Sequence, residues 1–214
     1  MFDVNKIDDM RAKNAWKTFA ASVPLSQEQE KQFAHYLSLL LKWNERINLT
    51  AITDIPAIID YHFQDSLQAA KEVDFTKIDG MIDVGTGAGL PGIPLKICYP
   101  HLNVFLIEVN SKKIAFLQEV IKELHMNSIE VYPFDWRTFL RKTTYQTDLI
   151  CARASLKPAE LIRMFKADSF YKNSQLIYWG AAHWQSGKKE QPFVEKEIMY
   201  TIGNKKRKLV FFNV

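Results

Sequence analysis

The segment from residue 81 to residue 90 constrains this chain more than any other. It is an apolar run that ends in an acid and opens onto three alternating glycines, Met81-Ile-Asp-Val-Gly-Thr-Gly-Ala-Gly-Leu90. Gly85, Gly87 and Gly89 lack a Cβ, so the backbone can turn at positive φ and bring its N–H groups close to a bound molecule. We therefore predict a buried strand that opens onto a ligand-binding loop. An ordinary strand-to-helix turn without a ligand is the alternative.

The spacing of these glycines favours one class of ligand. Dinucleotide-binding loops have the spacing G-x-G-x-x-G, whereas this loop has G-x-G-x-G with Asp83 two residues before the first glycine. A loop wound this tightly suits the amino-acid part of S-adenosylmethionine (SAM) better than a pyrophosphate. We predict SAM as the cofactor, with Asp83, Gly85, Gly87, Gly89 and Leu90 at its site; NAD is a minor alternative.

A second short strand, Val104–Glu108, also ends in a carboxylate. Glu108 lies about 20 residues beyond the glycines, where folds of this kind place the acid that binds a ribose. We predict that Glu108 accepts hydrogen bonds from two ribose hydroxyls; a solvated acid at a strand end is the alternative. Ser111 is then predicted to cap a helix with one apolar face, formed by Ile114, Leu117, Val120, Ile121 and Leu124.

The first 75 residues have the pattern of helices. Ser26 and Gln29 form a capping-box pair, and Asp54 with Pro56 marks the start of another helix. We predict a helical cap over residues 1–75 and a cofactor-binding domain over residues 76–214. The two apolar stripes of the cap comprise Phe33, Tyr36, Leu37, Leu40, Leu41, and Ile58, Ile59, Phe63, Leu67, Ala70.

The remainder of the chain alternates strands and helices. Proline in the first turn opens a helix at 91–94, and Gly203-Asn204 predicts a hairpin turn between two final strands. We expect an α/β fold, a Rossmann-like doubly wound sheet that ends in an antiparallel hairpin, which is the arrangement of class I SAM-dependent methyltransferases. The predicted elements are strands at 129–132, 148–152, 175–179, 197–202 and 208–212 and a helix around 159–166.

Composition excludes several classes of protein. No segment reaches the ~18 apolar residues of a membrane span, and Met1–Lys13 has no continuous apolar stretch, so we expect a cytoplasmic protein. Cys98 and Cys151 form no C-x-x-C pair, and the five histidines are scattered, so we predict neither a metal site nor a disulfide.

Positive charge is concentrated in short clusters, although the net charge is only +4. Such clusters suit contacts with phosphates. For each cluster taken alone, a solvated surface with no binding role is an equally good interpretation. They are Arg11–Lys13, Lys112–Lys113, Lys188–Lys189 and Lys205–Lys208.

Four stretches together carry a family resemblance: Lys42-Trp-Asn44 with Asn48-Leu-Thr50, His62-Phe-Gln-Asp-Ser-Leu67, Asp83–Pro94 and Cys151-Ala-Arg-Ala154. They resemble the RsmG (GidB) family, bacterial methyltransferases that modify N7 of a guanine in small-subunit ribosomal RNA. The resemblance covers most of the chain, and the P-G-I-P extension of the glycine loop is its most specific part. It implies SAM as cofactor and, as partner, small-subunit RNA or its assembling particle. We expect a monomer.

The resemblance also implies cofactor contacts from Gly85, Leu90, Glu108, the Trp136-Arg137 pair and Arg153. This chain departs from the family at three places: Glu108 stands where aspartate is usual, Trp136-Arg137 where a small residue and glutamate are usual, and Trp179 where lysine is usual. Asp135 could accept from the adenine amine while Trp136 packs on the ring. The departures leave open a related enzyme with another target.

Guanine N7 carries a lone pair and no proton, so its methylation needs no general base, and the sequence offers no persuasive one. The N-P-P-(F/Y) signature of amino-group methylation is absent. Arg153, His62, Asp65 and Asn48, with Trp43 and Asn44, are candidates for the acceptor side. His62 and Asp65 could hydrogen-bond to each other, or form a buried link between cap and sheet.

We therefore predict a SAM-dependent methyltransferase acting on guanine N7 of small-subunit (16S) ribosomal RNA. Two alternatives stay open. A methyltransferase of a small molecule or another RNA would keep the glycine loop, and a noncatalytic RNA-binding assembly factor would not bind SAM.

Overall fold

The computed structural model describes residues 9–214. Seven strands form one sheet in the order β3-β2-β1-β4-β5-β7-β6. The first five strands of this order are parallel, and β7 runs antiparallel to both β5 and β6. The prediction of a doubly wound sheet closed by an antiparallel hairpin is confirmed. The strands are β1 Gly80–Val84, β2 Asn103–Ile107, β3 Ile129–Tyr132, β4 Leu149–Arg153, β5 Gln175–Ala181, β6 Val194–Ile202 and β7 Lys205–Phe212.

Helices cover both faces of the sheet, which is why β1, an interior strand, is buried at all five positions and is apolar except at Asp83. The α-helices are α1 Met10–Ser22, α2 Gln27–Ile47, α3 Ile55–Ile58, α4 Gly92–Cys98, α5 Ser111–Glu123, α6 Trp136–Lys142 and α7 Pro158–Leu161. No helix within residues 9–214 is long and apolar enough to cross a membrane. Residues 1–8 of the predicted N-terminal segment lie outside the described part.

The N-terminal helices pack on one face of the sheet through a row of aromatic rings. Phe33 of α2 contacts Phe19 of α1 and Phe63, with ring centroids 5.0 and 5.2 Å apart. Tyr36 continues the row to Phe116 of α5, and the same hydrophobic cluster includes residues of the central strands. The apolar core therefore runs without a break from the first helices into the sheet. The division of the chain at residue 75 stays a prediction.

Three helix starts were predicted from capping residues, and two of them are formed as predicted. Asp54 caps α3 by accepting from the Ala57 N–H at 3.1 Å. The Ser26–Gln29 capping box is formed, because both side chains satisfy backbone N–H groups within one turn. The cap of α5 was wrong by one residue. Asn110, not Ser111, accepts from the N–H groups of Lys112 and Lys113.

The helix that begins after Asp54 does not continue as a regular α-helix. It widens into a π-helical segment, Ile59–Gln64, and then tightens into a 3-10 segment, Leu67–Lys71. Mid-helix departures of this kind often occur at functional sites. Here the irregular stretch carries the polar side chains that bind the edge of the sheet, so tertiary contacts determine its backbone. The helix predicted at 159–166 is likewise short, with α7 followed by a 3-10 segment, Ile162–Phe165.

Candidate functional site

The glycine loop lies at the carboxyl end of β1, and its three glycines all have positive φ: +65° at Gly85, +61° at Gly87 and +88° at Gly89. A Cβ on Gly85 would stand 2.5 Å from the Cβ of Ser155, and one on Gly89 would overlap the side chain of Ile93. A Cβ on Gly87 would meet nothing within 4 Å. Packing therefore requires glycine at 85 and 89, whereas Gly87 faces open space that a ligand could occupy.

Asp83 supports this loop from beneath. Its side chain is fully buried, and Oδ2 accepts from the Thr86 hydroxyl at 2.6 Å and from the Gly92 N–H at 2.8 Å. Oδ1 has no hydrogen-bond partner among residues 9–214. Burial raises the pKa of Asp83 to about 6, although the two hydrogen bonds act in the opposite direction. The structure thus gives Asp83 the role of shaping the loop.

Glu108 joins the loop to the end of β2. Oε2 accepts from the Gly87 N–H at 3.1 Å, and Oε1 accepts from the N–H groups of Val109 and Asn110 at 2.9 Å each. The residue is only 8% exposed, so it is not the solvated acid of the alternative interpretation. The sequence-predicted acid and the open glycine therefore lie in direct contact.

Two exposed apolar side chains that follow β2 and β3 were missed by the sequence analysis. Val109 follows Glu108 at the end of β2 and is 62% exposed, and Phe134 follows β3 and is 55% exposed. Exposed large apolar side chains next to a candidate site often mark a binding surface. Their signal in the sequence was their position just after predicted strands, one residue after Glu108 and two residues after Tyr132. Leu90, in contrast, is buried in the core.

The three residues predicted to contact adenine, 135–137, take other positions. Asp135 caps α6 by accepting from the Thr138 N–H at 2.9 Å. Trp136 is buried, stacks on Phe139 and donates its indole N–H to the Glu160 carbonyl at 3.2 Å. The expectation that Trp136 packs on the adenine ring is therefore corrected, because its ring belongs to the core. Arg137 pairs with the Glu160 carboxylate on the surface, at 2.8 Å.

Asp65 is the centre of a buried polar network at the carboxyl end of β4. Its carboxylate is fully buried and accepts from Arg153 Nη1 at 2.9 Å and from the Tyr200 hydroxyl at 2.6 Å. Arg207 Nε lies 3.2 Å away as an ion pair without hydrogen-bond geometry. The Asp65 carbonyl accepts from the Trp179 indole N–H at 2.8 Å. The network ties the cap to strands β4 to β7.

His62 does not hydrogen-bond to Asp65, in contrast to one of the two predicted arrangements. Its Nδ1 lies 3.1 Å from the Tyr61 carbonyl, which can only accept, and its Nε2 lies 2.8 Å from the Thr50 hydroxyl. Nδ1 therefore carries the proton and Nε2 accepts. Burial, and after it the charge of Arg153, lowers the pKa of His62 to about 4. His62 is thus a neutral, fully bonded link.

The motif around residues 42–50 forms the turn that presents Thr50 to His62. Asn48 ends α2 with a φ of +49°, a left-handed conformation that asparagine tolerates. The Asn44 side chain accepts from the Thr50 N–H at 2.8 Å. Trp43 packs edge-on against Phe116, with centroids 5.9 Å apart. These contacts give the motif a structural role.

The basic cluster 205–208 was predicted to suit phosphates, but its residues mostly bind the protein itself. Arg207 pairs with Asp65, and Lys208 pairs with Glu197 at 2.6 Å. Lys205 lies over the ring of Tyr61, 4.2 Å from its centroid. In the remaining clusters, Lys112, Lys188 and Lys189 are exposed, while Arg11 is 3.6 Å from Asp54.

Neither cysteine has the environment of a reactive thiol. Burial raises the pKa of Cys98 to about 12 and that of Cys151 well above its ordinary value. Both are free thiols. Among residues 9–214, no group of His, Cys, Asp and Glu side chains is arranged to hold a metal ion.

A family model described as rRNA small subunit methyltransferase G (GidB) matches residues 29–208. The chain belongs to the GidB family. The resemblance drawn from the four sequence motifs is thereby confirmed.

Two relatives, both named Ribosomal RNA small subunit methyltransferase G, illustrate the similarity. The protein from Listeria monocytogenes is 42% identical over 134 residues, which are 62% of this chain and 56% of the relative. The protein from Halalkalibacterium halodurans is 46% identical over 132 residues, 61% of this chain and 56% of the relative. This GidB-family chain thus aligns with little more than half the length of these curated relatives.

Solved structures support the fold. The METTL16 MTase domain superposes with a TM-score of 0.59 over 98% of this chain and 93% of that one, at 14% identity. At so low an identity, the likeness concerns the methyltransferase fold alone.

Proposed function

We propose that this GidB-family chain binds SAM at the carboxyl ends of β1 and β2 and transfers its methyl group to N7 of a guanine in small-subunit (16S) ribosomal RNA. One observation carries the proposal. Gly87, where a Cβ would meet nothing within 4 Å, donates its N–H to the buried carboxylate of Glu108. An open backbone position beside a fixed acid suits a ligand that has both an amino-acid part and a ribose.

The residues at the carboxyl ends of β1 and β2 fit this cofactor. Two carboxylate oxygens offer about four acceptor sites, and backbone N–H groups take three of them at Glu108. One site is left for a ribose hydroxyl, and the bond to Gly87, the longest at 3.1 Å, is the one we expect to yield to a second. Val109 and Phe134 supply apolar surface for the adenine ring. SAM, when bound, supplies an electrophilic methyl group on a sulfonium sulfur.

The residues on the acceptor side hold Arg153 in a fixed position. Asp65 and the Tyr61 carbonyl fix Nη1 of Arg153, both at 2.9 Å. His62 is neutral, and both of its ring nitrogens are already bonded. Neither His62 nor Asp65 is therefore free to remove a proton. The lack of a general base is compatible with guanine N7, which has no proton to lose. The contribution of the chain is then to align the methyl donor with the acceptor nitrogen.

The test is a map of N7-methylated guanines in small-subunit RNA from cells with and without this protein. We expect one chemical-cleavage signal to disappear without the protein and to return with the wild-type chain. Gly87→Ala should fail to restore it, because the added methyl group occupies the open position. Gly187→Ala is the matched control, since its Cβ would meet only the flexible end of Glu190.

The alternatives give different results. An unchanged guanine map together with SAM binding by calorimetry would favour methylation of a small molecule or another RNA. No SAM binding at millimolar ligand, with no thermal stabilisation, would favour a noncatalytic assembly factor. An enzyme of 16S ribosomal RNA acts where ribosomes are assembled, so the proposal also places this protein in the bacterial cytoplasm.

A further inference from the structure

A groove between α6 and the 3-10 segment after α7 is lined by four cations that are scattered in the sequence. Arg137 and Arg141 stand on one wall, and Arg163 and Lys166 stand on the other. Residues four apart on a helix lie on one face, about 6 Å apart along the axis. The basic groove, defined by these four side chains, has a volume of about 790 Å³.

Its charge is only partly compensated. Glu160 takes both Arg137 and Arg163, at 2.8 and 3.0 Å. Arg141 and Lys166 are exposed, and neither forms an ion pair with an acid in the described part of the chain. Asp135 and Asp168 also line the groove, but the Asp135 carboxylate is turned onto Thr138. Four cations thus face three carboxylates, those of Glu160, Asp135 and Asp168, so the balance of charge in the groove stays positive, with Arg141 and Lys166 on opposite walls.

The position of the groove relates it to the proposed cofactor site. Asp135 and Arg137 lie three and five residues after the end of β3, whose neighbour in the sheet is β2, the strand that Glu108 follows. The scaffold beneath is rigid, because Trp136 and Phe139 pack in one cluster with Leu161 and Met164. An extended chain that lies in the groove would thus approach the same edge of the sheet as the open Gly87.

We propose that the basic groove binds the phosphodiester backbone of the RNA whose guanine is methylated. Guanidinium groups match phosphate oxygens with two parallel hydrogen bonds. Contacts of this kind orient a nucleic acid without reading its bases, and Arg141 and Lys166 are the side chains free to make them. The inference rests on the proposed function, since it names where the substrate of that activity is held.

The test uses the full chain with the double substitution Arg141→Ala and Lys166→Ala. Binding of purified small-subunit ribosomal RNA is measured at salt concentrations from about 50 to 200 mM, the range over which such contacts are lost. Each lost phosphate contact reduces the slope of log affinity against log salt by about 0.7 for a single strand, so we expect a slope smaller by about 1.4. SAM affinity, measured by calorimetry, should stay at the wild-type value.

The control is Lys71→Ala with Lys122→Ala. This pair removes the same charge from two exposed lysines that do not line the groove, and it should retain the wild-type slope. A wild-type slope in the groove variant, or an equal reduction in groove and control variants, would overturn the assignment of the groove. In either case methylation of the guanine by the wild-type chain would leave the proposed function standing. No methylation by the wild-type chain would remove both proposals.

Discussion

Asp65→Asn offers the sharpest test of how the cap is joined to the sheet. The carboxylate of Asp65 is fully buried and faces Arg153, whose side chain is 9% exposed, and Arg207, whose side chain is 23% exposed. Asparagine keeps the shape of the side chain but removes its charge. Arg153 would then stay buried at the end of β4 without a counterion.

The expected cost is large because the pair lies out of water. Removing one partner of a buried ion pair costs about 3–5 kcal/mol, since the remaining charge is left uncompensated. For a chain of this size, each kcal/mol lowers the melting temperature by about 2–4 °C. We therefore expect Asp65→Asn to melt roughly 6–20 °C below the wild type, again at about 2–4 °C per kcal/mol.

Glu160→Gln is the matched control. Glu160 also faces two arginines at similar distances, but its side chain is 33% exposed and theirs are 60% and 40% exposed. Surface pairs are worth at most about 1 kcal/mol, so this variant should unfold close to the wild type.

The assay is thermal unfolding of both variants at pH 7, with urea unfolding to give the free energies. A double variant, Asp65→Asn with Arg153→Met, should lose less than the sum of the two single changes, because it leaves no uncompensated charge at that pair. If Asp65→Asn costs no more than Glu160→Gln, the reasoning from burial is refuted.

Two further results are expected. Gly87→Ala should still fold, at a cost of about 1 kcal/mol for its positive φ, but should not bind SAM when measured by calorimetry. Gly85→Val should be unstable, because the valine side chain meets Ser155. Normal SAM binding by Gly87→Ala would show that the cofactor site is placed wrongly. Burial raises the pKa of Asp83 from 3.8 to about 6 and lowers that of His62 from 6.5 to about 4. The stability due to protonated Asp83 is complete below pH 3.8 and is lost as the pH rises through about 6. The stability due to neutral His62 is complete above pH 6.5 and is lost as the pH falls through about 4. Acidification from pH 6.5 to 4 should therefore destabilise Asp83→Asn more than the wild type and His62→Gln less; parallel urea-unfolding curves for the three proteins would contradict this.

The elements predicted correctly are those that depend on near neighbours. Strand β3 was predicted at its observed bounds, 129–132, and the hairpin turn at Gly203-Asn204 is present. The capping box at Ser26 closes within one turn. The irregular helix at 59–71 was not predicted, because its backbone follows contacts with strands far along the chain.

The residues of the candidate site also fall into those that local sequence predicts and those that it does not. Glu108 and the glycine loop were found because a strand end and its loop are contiguous in sequence. Trp136 was assigned to the adenine from a family position, but its indole packs under α7, a contact no local pattern contains. Val109 and Phe134 were missed because the exposure of an apolar side chain depends on which other segments pack against it, and that is settled only in the tertiary structure.

By itself the sequence determined the succession of strands and helices, the family and the place of the glycine loop, since periodicity and turn chemistry act over a few residues. Only the tertiary structure decided which charges meet. Asp65 pairs with Arg153, which lies 88 positions away in the chain. Arg207, from the basic cluster 205–208, also pairs with Asp65. Four cations that are separate in the sequence line one groove. Electrostatic interactions depend on distance in space and on burial, and neither quantity can be read from spacing along the chain.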